Sequence, residues 1–166
     1  MRELLLQQLE IPWSLATRHC LPGITGDEVL HWEPSSNVVC LRQRDGDFYA
    51  DWPDEEGQPL PDVTIGWLLW HIEWWWTDAI GGVYGAAARQ PSRAAWSGSL
   101  EASRRRLTEL HDEWRNILTT TDLDTICEGP WPTPQPLSTI APWVNVELMK
   151  NVAEIGQLLR LRSNTA

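Results

Sequence analysis

The sequence predicts an all-α protein, a four-helix bundle with long connections after the first and third helices. Four stretches carry apolar residues at helical spacing, near residues 2–19, 64–82, 98–118 and 142–162, and the longest segments between them are rich in Gly, Pro and Asp. Apolar residues that recur every three or four positions give each helix one buried stripe. With 166 residues and no internal repeat or linker of disordered composition, we expect one domain that spans residues 1–166.

The first helix and the connection after it each contain a local pattern that differs from the structure predicted around it. Pro12 lies inside the helical pattern of residues 2–19 and predicts a kink or an interruption there. We expect residues 35–62 to be largely irregular, although the Asp45-Gly46 pair between two short apolar runs favours one small hairpin.

The second helix is the most unusual stretch of the chain because it combines one histidine with five tryptophans. On a helical wheel Leu68, Ile72, Trp75 and Ala79 share an apolar arc, and His71 falls at the edge of that arc. The imidazole is thus expected to point inward, as a core-margin histidine satisfied by a neighbouring polar group or as part of a site. The tryptophans of this run are too many for one core face, so some should be exposed, in a pocket or at a subunit interface, of which the interface is the simplest choice. The five are Trp67, Trp70, Trp74, Trp75 and Trp76.

The segment between the third and fourth helices, residues 119–141, is rich in proline and cannot be helical throughout. We expect it to pack across the bundle through Ile126, Trp131 and Leu137. Pro142 is predicted to mark the start of the fourth helix, since proline is favoured in the first helical turn.

The fourth helix places polar residues close to its apolar stripe. Asn151 lies within the stripe, and Glu147, Lys150 and Glu154 lie at its edge. A buried carboxylate without a partner is costly, so we expect these groups to pair with one another, with His71 or with a metal ion. A salt-bridge cluster of Lys150 with either glutamate is the simplest arrangement.

The composition of the chain argues against two classes of binding partner, nucleic acids and membranes. The 23 acidic and 13 basic residues give a net charge of −10, which opposes binding to nucleic acid. No apolar run is long enough to span a membrane and no secretory leader is evident, so we expect a cytoplasmic protein without a membrane partner. The three cysteines are far apart and include no Cys-x-x-Cys pair, which predicts free thiols.

Three segments together resemble the DinB-like superfamily: Ile65-Gly66-Trp67-Leu68-Leu69-Trp70-His71-Ile72 on helix two, Gly156-Gln157 on the last helix, and Asp27-Glu28-Val29-Leu30-His31-Trp32-Glu33-Pro34 after helix one. The resemblance covers nearly the whole chain and implies a DinB-like four-helix bundle. It also implies a divalent metal held by three histidines, one on helix two and two on the last helix, four residues apart. Some relatives are thiol-dependent S-transferases or isomerases.

The residues at the three implied ligand positions differ from that pattern. His71 matches the helix-two ligand, but Lys150 and Glu154 stand where the resemblance places the other two histidines. A reduced site for zinc, nickel, manganese or iron, formed by His71 and Glu154 with or without Glu147, is one interpretation. The other is a metal-free cluster in which Lys150 supplies the positive charge.

Two functions therefore remain open at the level of sequence. The resemblance implies a metal-dependent thiol S-transferase or isomerase acting on a small-molecule substrate or thiol; a metal-free variant would use Glu147 or Glu154 as base and His71 as acid. The alternative is a non-catalytic bundle that has lost the metal and either binds a small molecule or acts as an interaction protein, with a homodimer as one such interaction. In either case we expect Lys150, Asn151, Trp67 and Trp75 to line the ligand pocket.

Overall fold

A computed structural model of the chain describes residues 1–52, 61–91 and 94–165. The structure is mostly helical. The helices are α1 (Arg2–Leu15), α2 (Leu21–Gly23), α3 (Asp27–Leu30), α4 (Ile65–Val83), α5 (Leu100–Thr120) and α6 (Leu137–Thr165), and a π-helical turn, Ala16–Cys20, joins α1 to α2.

Short strands accompany the helices, so the prediction of an exclusively α-helical chain is not confirmed. They are β1 (Val38–Val39), β2 (Leu41–Arg44), β3 (Asp47–Ala50), β4 (Asp62–Val63), β5 (Ala95–Trp96), β6 (Ile126–Cys127) and β7 (Gln135–Pro136). Strands β1 and β4 pair in parallel, β2-β3-β5 form an antiparallel sheet, and β6 pairs antiparallel with β7.

The four long helices form a closed ring in which α1 packs on α6, α6 on α4, α4 on α5 and α5 on α1. Its interior is apolar, with Trp76 and Trp114 among the fully buried side chains. One buried asparagine inside the ring is paired on both sides: the Trp114 Nε1–H donates to Asn145 Oδ1 at 3.1 Å, and Asn145 Nδ2 donates to the Leu5 carbonyl at 2.9 Å. Asn145 therefore links α6 to both α5 and α1.

The first helical segment continues further than predicted. Pro12 does not interrupt α1, and the helical backbone runs on through the π turn and α2 to Gly23 instead of ending at residue 19. The only backbone donor that proline removes is its own N–H, and Pro12 is buried, so packing compensates for the lost hydrogen bond.

Helix α4 is buried on nearly every side. Fourteen of its 19 residues are buried, which a single apolar arc does not account for. Thr64 caps its N-terminus, since the Thr64 Oγ1 accepts from the Trp67 N–H at 3.2 Å. A helix that is hydrophobic all round requires cover from more than its two helical neighbours.

The connection after α3 supplies part of that cover, and the predicted hairpin is confirmed in it. Strands β2 and β3 are joined at Asp45 and Gly46, whose φ angles of 52° and 96° are those of a tight hairpin turn. Residues 35–62 are therefore less irregular than predicted, and residues 53–60 of that range lie outside the described residues. The sheet and its neighbouring loop also accept indole donors from α4, with Trp67 Nε1–H bonding the Asp51 carbonyl and Trp70 Nε1–H the Ala94 carbonyl.

The connection between α5 and α6 covers the far end of α4. The Glu128 N–H donates to the Gly82 carbonyl at 3.0 Å, and Leu137 and Trp131 pack against the core as predicted. The predicted anchor Ile126 is wrong, because this side chain is 59% exposed. Along β6 successive side chains face opposite sides, so Cys127 is the one that is buried.

Helix α6 begins five residues before Pro142, so the predicted start is wrong. The first N–H groups of a helix have no intrahelical partner and normally need a cap. Here the preceding connection supplies acceptors, with the Leu137 N–H bonding the Thr125 carbonyl and the Ser138 N–H bonding the Leu123 carbonyl. These long-range bonds let the helix start well upstream of the proline.

Helix α5 buries one face, as the helical spacing of its apolar residues predicts, and Ser99 caps its N-terminus by accepting from the Ala102 N–H. All three cysteines are free thiols, and Cys20 and Cys127 are buried. Within the described residues, no helix combines the length and the apolar character that crossing a membrane requires.

We predict that Gly82→Ala destabilises the fold by about 1–3 kcal/mol, the usual cost of overpacking. A Cβ at this position would lie 2.5 Å from the Gly129 backbone nitrogen and 2.6 Å from its oxygen. Gly81→Ala is the matched control, since its Cβ would meet only the Ala86 methyl at 3.4 Å. It should stabilise the helix by about 0.5–1 kcal/mol. Urea unfolding of both variants measures the difference, and equal stabilities would contradict the proposed close approach.

Candidate functional site

A pocket of about 700 Å³ lies between α4 and α6, beside the β1–β4 strand pair. Its volume falls in the range of small-molecule sites. The described residues that line it are Val39, Trp52, Pro61, Asp62, Val63, Trp67, His71, Trp75, Trp143, Glu147, Lys150, Glu154, Gln157 and Leu158.

His71 lies at the inner wall of the pocket, on α4, and is 4% exposed. The Trp75 indole N–H, one helical turn further along α4, donates to His71 Nε2 at 2.9 Å. On the other side of the ring, His71 Nδ1 lies 3.3 Å from Asn151 Oδ1, on α6. Trp67 stacks on the imidazole with ring centres 4.6 Å apart. Both ring nitrogens therefore have protein partners.

These contacts determine the tautomer of His71. An indole N–H can only donate, so His71 Nε2 has to accept and carries no proton. The neutral ring then holds its proton on Nδ1. Of the two Asn151 atoms near Nδ1, Oδ1 at 3.3 Å and Nδ2 at 3.2 Å, only the oxygen can accept that proton. Burial lowers the pKa of His71 to about 3, helped by the positive charge of Lys150 and opposed by the Asn151 hydrogen bond. The imidazole is thus neutral near pH 7, which does not favour the role of general acid considered above.

Glu147 and Lys150 form an ion pair next to the histidine. The Lys150 Nζ lies 2.8 Å from Glu147 Oε2, and that same oxygen lies 4.0 Å from His71 Nδ1. The buried Oε2 of Glu147 thus has the Lys150 ammonium as its direct ionic partner.

Glu154 lines the same pocket one turn further along α6 and is half-buried. Burial raises the pKa of Glu154; the negative charge of Glu147 adds to this, and the positive charge of Lys150 opposes it. Within residues 1–52, 61–91 and 94–165, no hydrogen bond or ion pair joins Glu154 to His71.

The structure thus brings His71, Glu147, Lys150 and Asn151 into one cluster, with Glu154 along the same wall. The arrangement does not suit the implied metal. The only lone pair of His71 that a neutral ring offers is already taken by the Trp75 N–H, and the nearest charged group to Glu147 is an ammonium. Among the described residues, no group of three His, Cys, Asp or Glu side chains has the spacing of a metal site.

Several lining residues escaped the sequence reasoning, and the aromatic and charged ones among them are Trp52, Asp62 and Trp143. Asn151, which was expected to line the pocket, does not do so, because it is fully buried behind His71. Trp52 and Asp62 lie in the connection after α3, and only the tertiary structure brings them to α4. Trp143 was detectable, because it precedes Glu147 by four positions and thus shares a face of α6 with it.

Residues 11–155 match a family model described as the DinB superfamily. The chain belongs to the DinB superfamily. The family predicted from the helix-two and last-helix motifs is therefore confirmed. No curated protein and no solved structure matches the chain. Membership of the DinB superfamily by itself specifies neither a reaction nor a ligand.

We predict that His71 keeps its proton on Nδ1 and stays neutral from pH 7 down to about pH 4. Imidazole ¹⁵N shifts measured by NMR report both properties directly. Trp75→Phe should free Nε2 and raise the pKa of His71 towards its ordinary value near 6.5. Trp143→Phe, which also removes a pocket indole but leaves the hydrogen bond to His71, is the control. A protonated Nε2 in the unmodified protein would contradict the assigned tautomer.

The same pKa has a consequence for stability. In the unfolded chain the imidazole binds a proton below about pH 6.5, whereas in the folded chain it resists protonation until about pH 3. The unfolding free energy should therefore fall as the pH drops through this window, by at most about 1.4 kcal/mol per pH unit from this residue. Urea unfolding of His71→Gln should show a shallower loss between these values, and an identical slope would contradict the assignment.

Proposed function

We propose that this DinB-superfamily protein binds a small organic molecule in the pocket between α4 and α6, without a metal at the position that the resemblance implies. The observation that carries the proposal is the 2.9 Å hydrogen bond from the Trp75 indole to His71 Nε2. It commits the imidazole to a structural partner and leaves the pocket around it open.

The position of Lys150 supports a metal-free site. This residue occupies a place where the resemblance implies a histidine ligand, and its ammonium lies on Glu147. An ammonium has donors but no lone pair, and its charge repels a cation. A positive charge fixed on the carboxylate substitutes for the charge that a metal ion would bring.

The walls of the pocket support binding of an organic molecule. Four indoles line it, from Trp52, Trp67, Trp75 and Trp143, and most of the polar groups are on α6. A mostly apolar cavity with a small number of polar groups is typical of ligand sites.

The enzyme hypothesis has less support from this geometry. A thiol transferase or isomerase of the implied kind needs a metal or an activated nucleophile. The described lining contains no Ser, Thr or Cys side chain. Burial also raises the pKa of Cys20, Cys40 and Cys127, which keeps the thiols protonated and weakly nucleophilic.

The binding function is tested by NMR of the indole N–H groups. We expect ligands selected from a panel of small aromatic alcohols, amines, thiols and acids to shift the resonances of the pocket indoles, Trp67 and Trp75 first. Trp96 and Trp114, buried away from the pocket, serve as internal controls. Binding that shifts only the controls, or an absence of binders in the panel, would overturn the proposal.

The absence of a metal requirement is tested by calorimetric titration with Zn²⁺. We expect weak binding by the unmodified protein and affinity at least about tenfold higher in Lys150→His, because a second imidazole replaces a repelling ammonium. Adding Trp75→Phe to that variant should raise the affinity further by releasing His71 Nε2. Tight binding by the unmodified protein that neither change affects would show that the metal site is intact.

A further inference from the structure

The charges around the pocket are unbalanced. Three carboxylates line it, from Asp62, Glu147 and Glu154, against the single ammonium of Lys150. That ammonium pairs with Glu147, and within the described residues neither Asp62 nor Glu154 has an ion-pair partner. A half-buried carboxylate such as Glu154 gains stability from a nearby positive charge.

The indole walls of the pocket also favour a positively charged ligand. An indole face attracts a cation more strongly than the other aromatic side chains do, and the attraction grows when water is excluded. The indoles are held close together: Trp52 stacks on Trp67 with ring centres 6.1 Å apart, and Trp75 lies 6.4 Å from Trp143. A cation that enters the pocket therefore meets more than one ring.

The carboxylate of Glu147 has acceptor capacity beyond its ion pair with Lys150. Lys150 Nζ lies 2.8 Å from one of its oxygens, Oε2, and a carboxylate accepts at both oxygens. A ligand that carries N–H groups can donate to this carboxylate beside Lys150, and such a charge-assisted hydrogen bond is stronger than a neutral one.

A carboxylate ligand would be disfavoured at the same position. It would find one ammonium, already engaged with Glu147, and would add a fourth negative charge to the three of the lining. A neutral ligand would leave the Glu154 carboxylate without an ion-pair partner.

From these contacts we propose that the ligand is a small organic ammonium ion with an apolar body, whose charged end lies between Glu147 and Glu154 and whose body packs on the indoles. The inference rests on the proposed binding function and specifies its ligand class. Lys150 then limits the affinity, because its ammonium competes for Glu147 and repels the ligand.

The test compares three ligands that share one aromatic body and differ in charge: phenethylammonium, phenethyl alcohol and hydrocinnamate. Calorimetric titration at pH 7 should give an affinity at least about tenfold higher for the ammonium than for the alcohol, with the carboxylate weakest. The readout is the ratio of the ammonium affinity to the alcohol affinity, which cancels general effects of a variant on pocket shape.

Substitutions identify which side chains cause the preference for the ammonium ligand. Glu154→Gln should lower that ratio at least about fivefold, and Asp62→Asn, at an exposed rim position, should lower it less. Lys150→Met should raise the ratio. Glu3→Gln removes the same charge from an exposed site on α1 outside the pocket and is the matched control, so its ratio should equal that of the unmodified protein.

The outcomes separate this inference from the function on which it rests. If the alcohol binds as tightly as the ammonium and Glu154→Gln leaves the ratio unchanged, the ligand class is wrong while binding in the pocket stands. If none of the three ligands binds at millimolar concentration, the ligand class is again wrong, and the indole NMR titration with the wider panel decides the binding function separately.

Discussion

The burial of α4 on nearly every side is the constraint on which the rest of the structure depends. A bundle of four helices covers two faces of each helix, and α4 carries five tryptophans in its central turns. Its remaining surface has to be covered by segments that are not helical. The β2-β3-β5 sheet and the connection before α6 do this, and both form hydrogen bonds with the helix or its indoles.

The helices were predictable because their periodicity is local. The inward face of α5 and the turn at Asp45 and Gly46 follow from spacing and from the φ angles that those residues tolerate. The start of α6 was not predictable, because carbonyls of Leu123 and Thr125, in the folded connection before the helix, replace its cap. The prediction of a single apolar arc on α4 was wrong for a related reason. The connections pack on the surface of this helix that other helices leave open, so nearly every position of α4 is buried.

The candidate site was also predictable only where local spacing determines it. Spacing on two helices was sufficient to bring His71, Glu147, Lys150 and Asn151 together, since residues three or four apart share a helix face. The direction of each hydrogen bond could not be inferred in this way. That Trp75 donates to His71 Nε2 depends on the rotation of one indole about its side-chain bonds. This detail matters most for function, because it decides whether the imidazole has a lone pair to offer.

Two asparagines of α6, six residues apart, make its buried polar contacts with three different helices: Asn145 with α5 and α1, and Asn151 with α4. If α6 slid along its axis by one turn, roughly 5.4 Å, every one of these bonds would be broken inside the core. The axial position of α6 is therefore fixed relative to all of its neighbours at once. A shift of the two helices that form the pocket would therefore cost these hydrogen bonds. Under the proposed binding function, selectivity rests on a cavity shaped in advance, because the helical walls resist a shift towards a ligand of another outline.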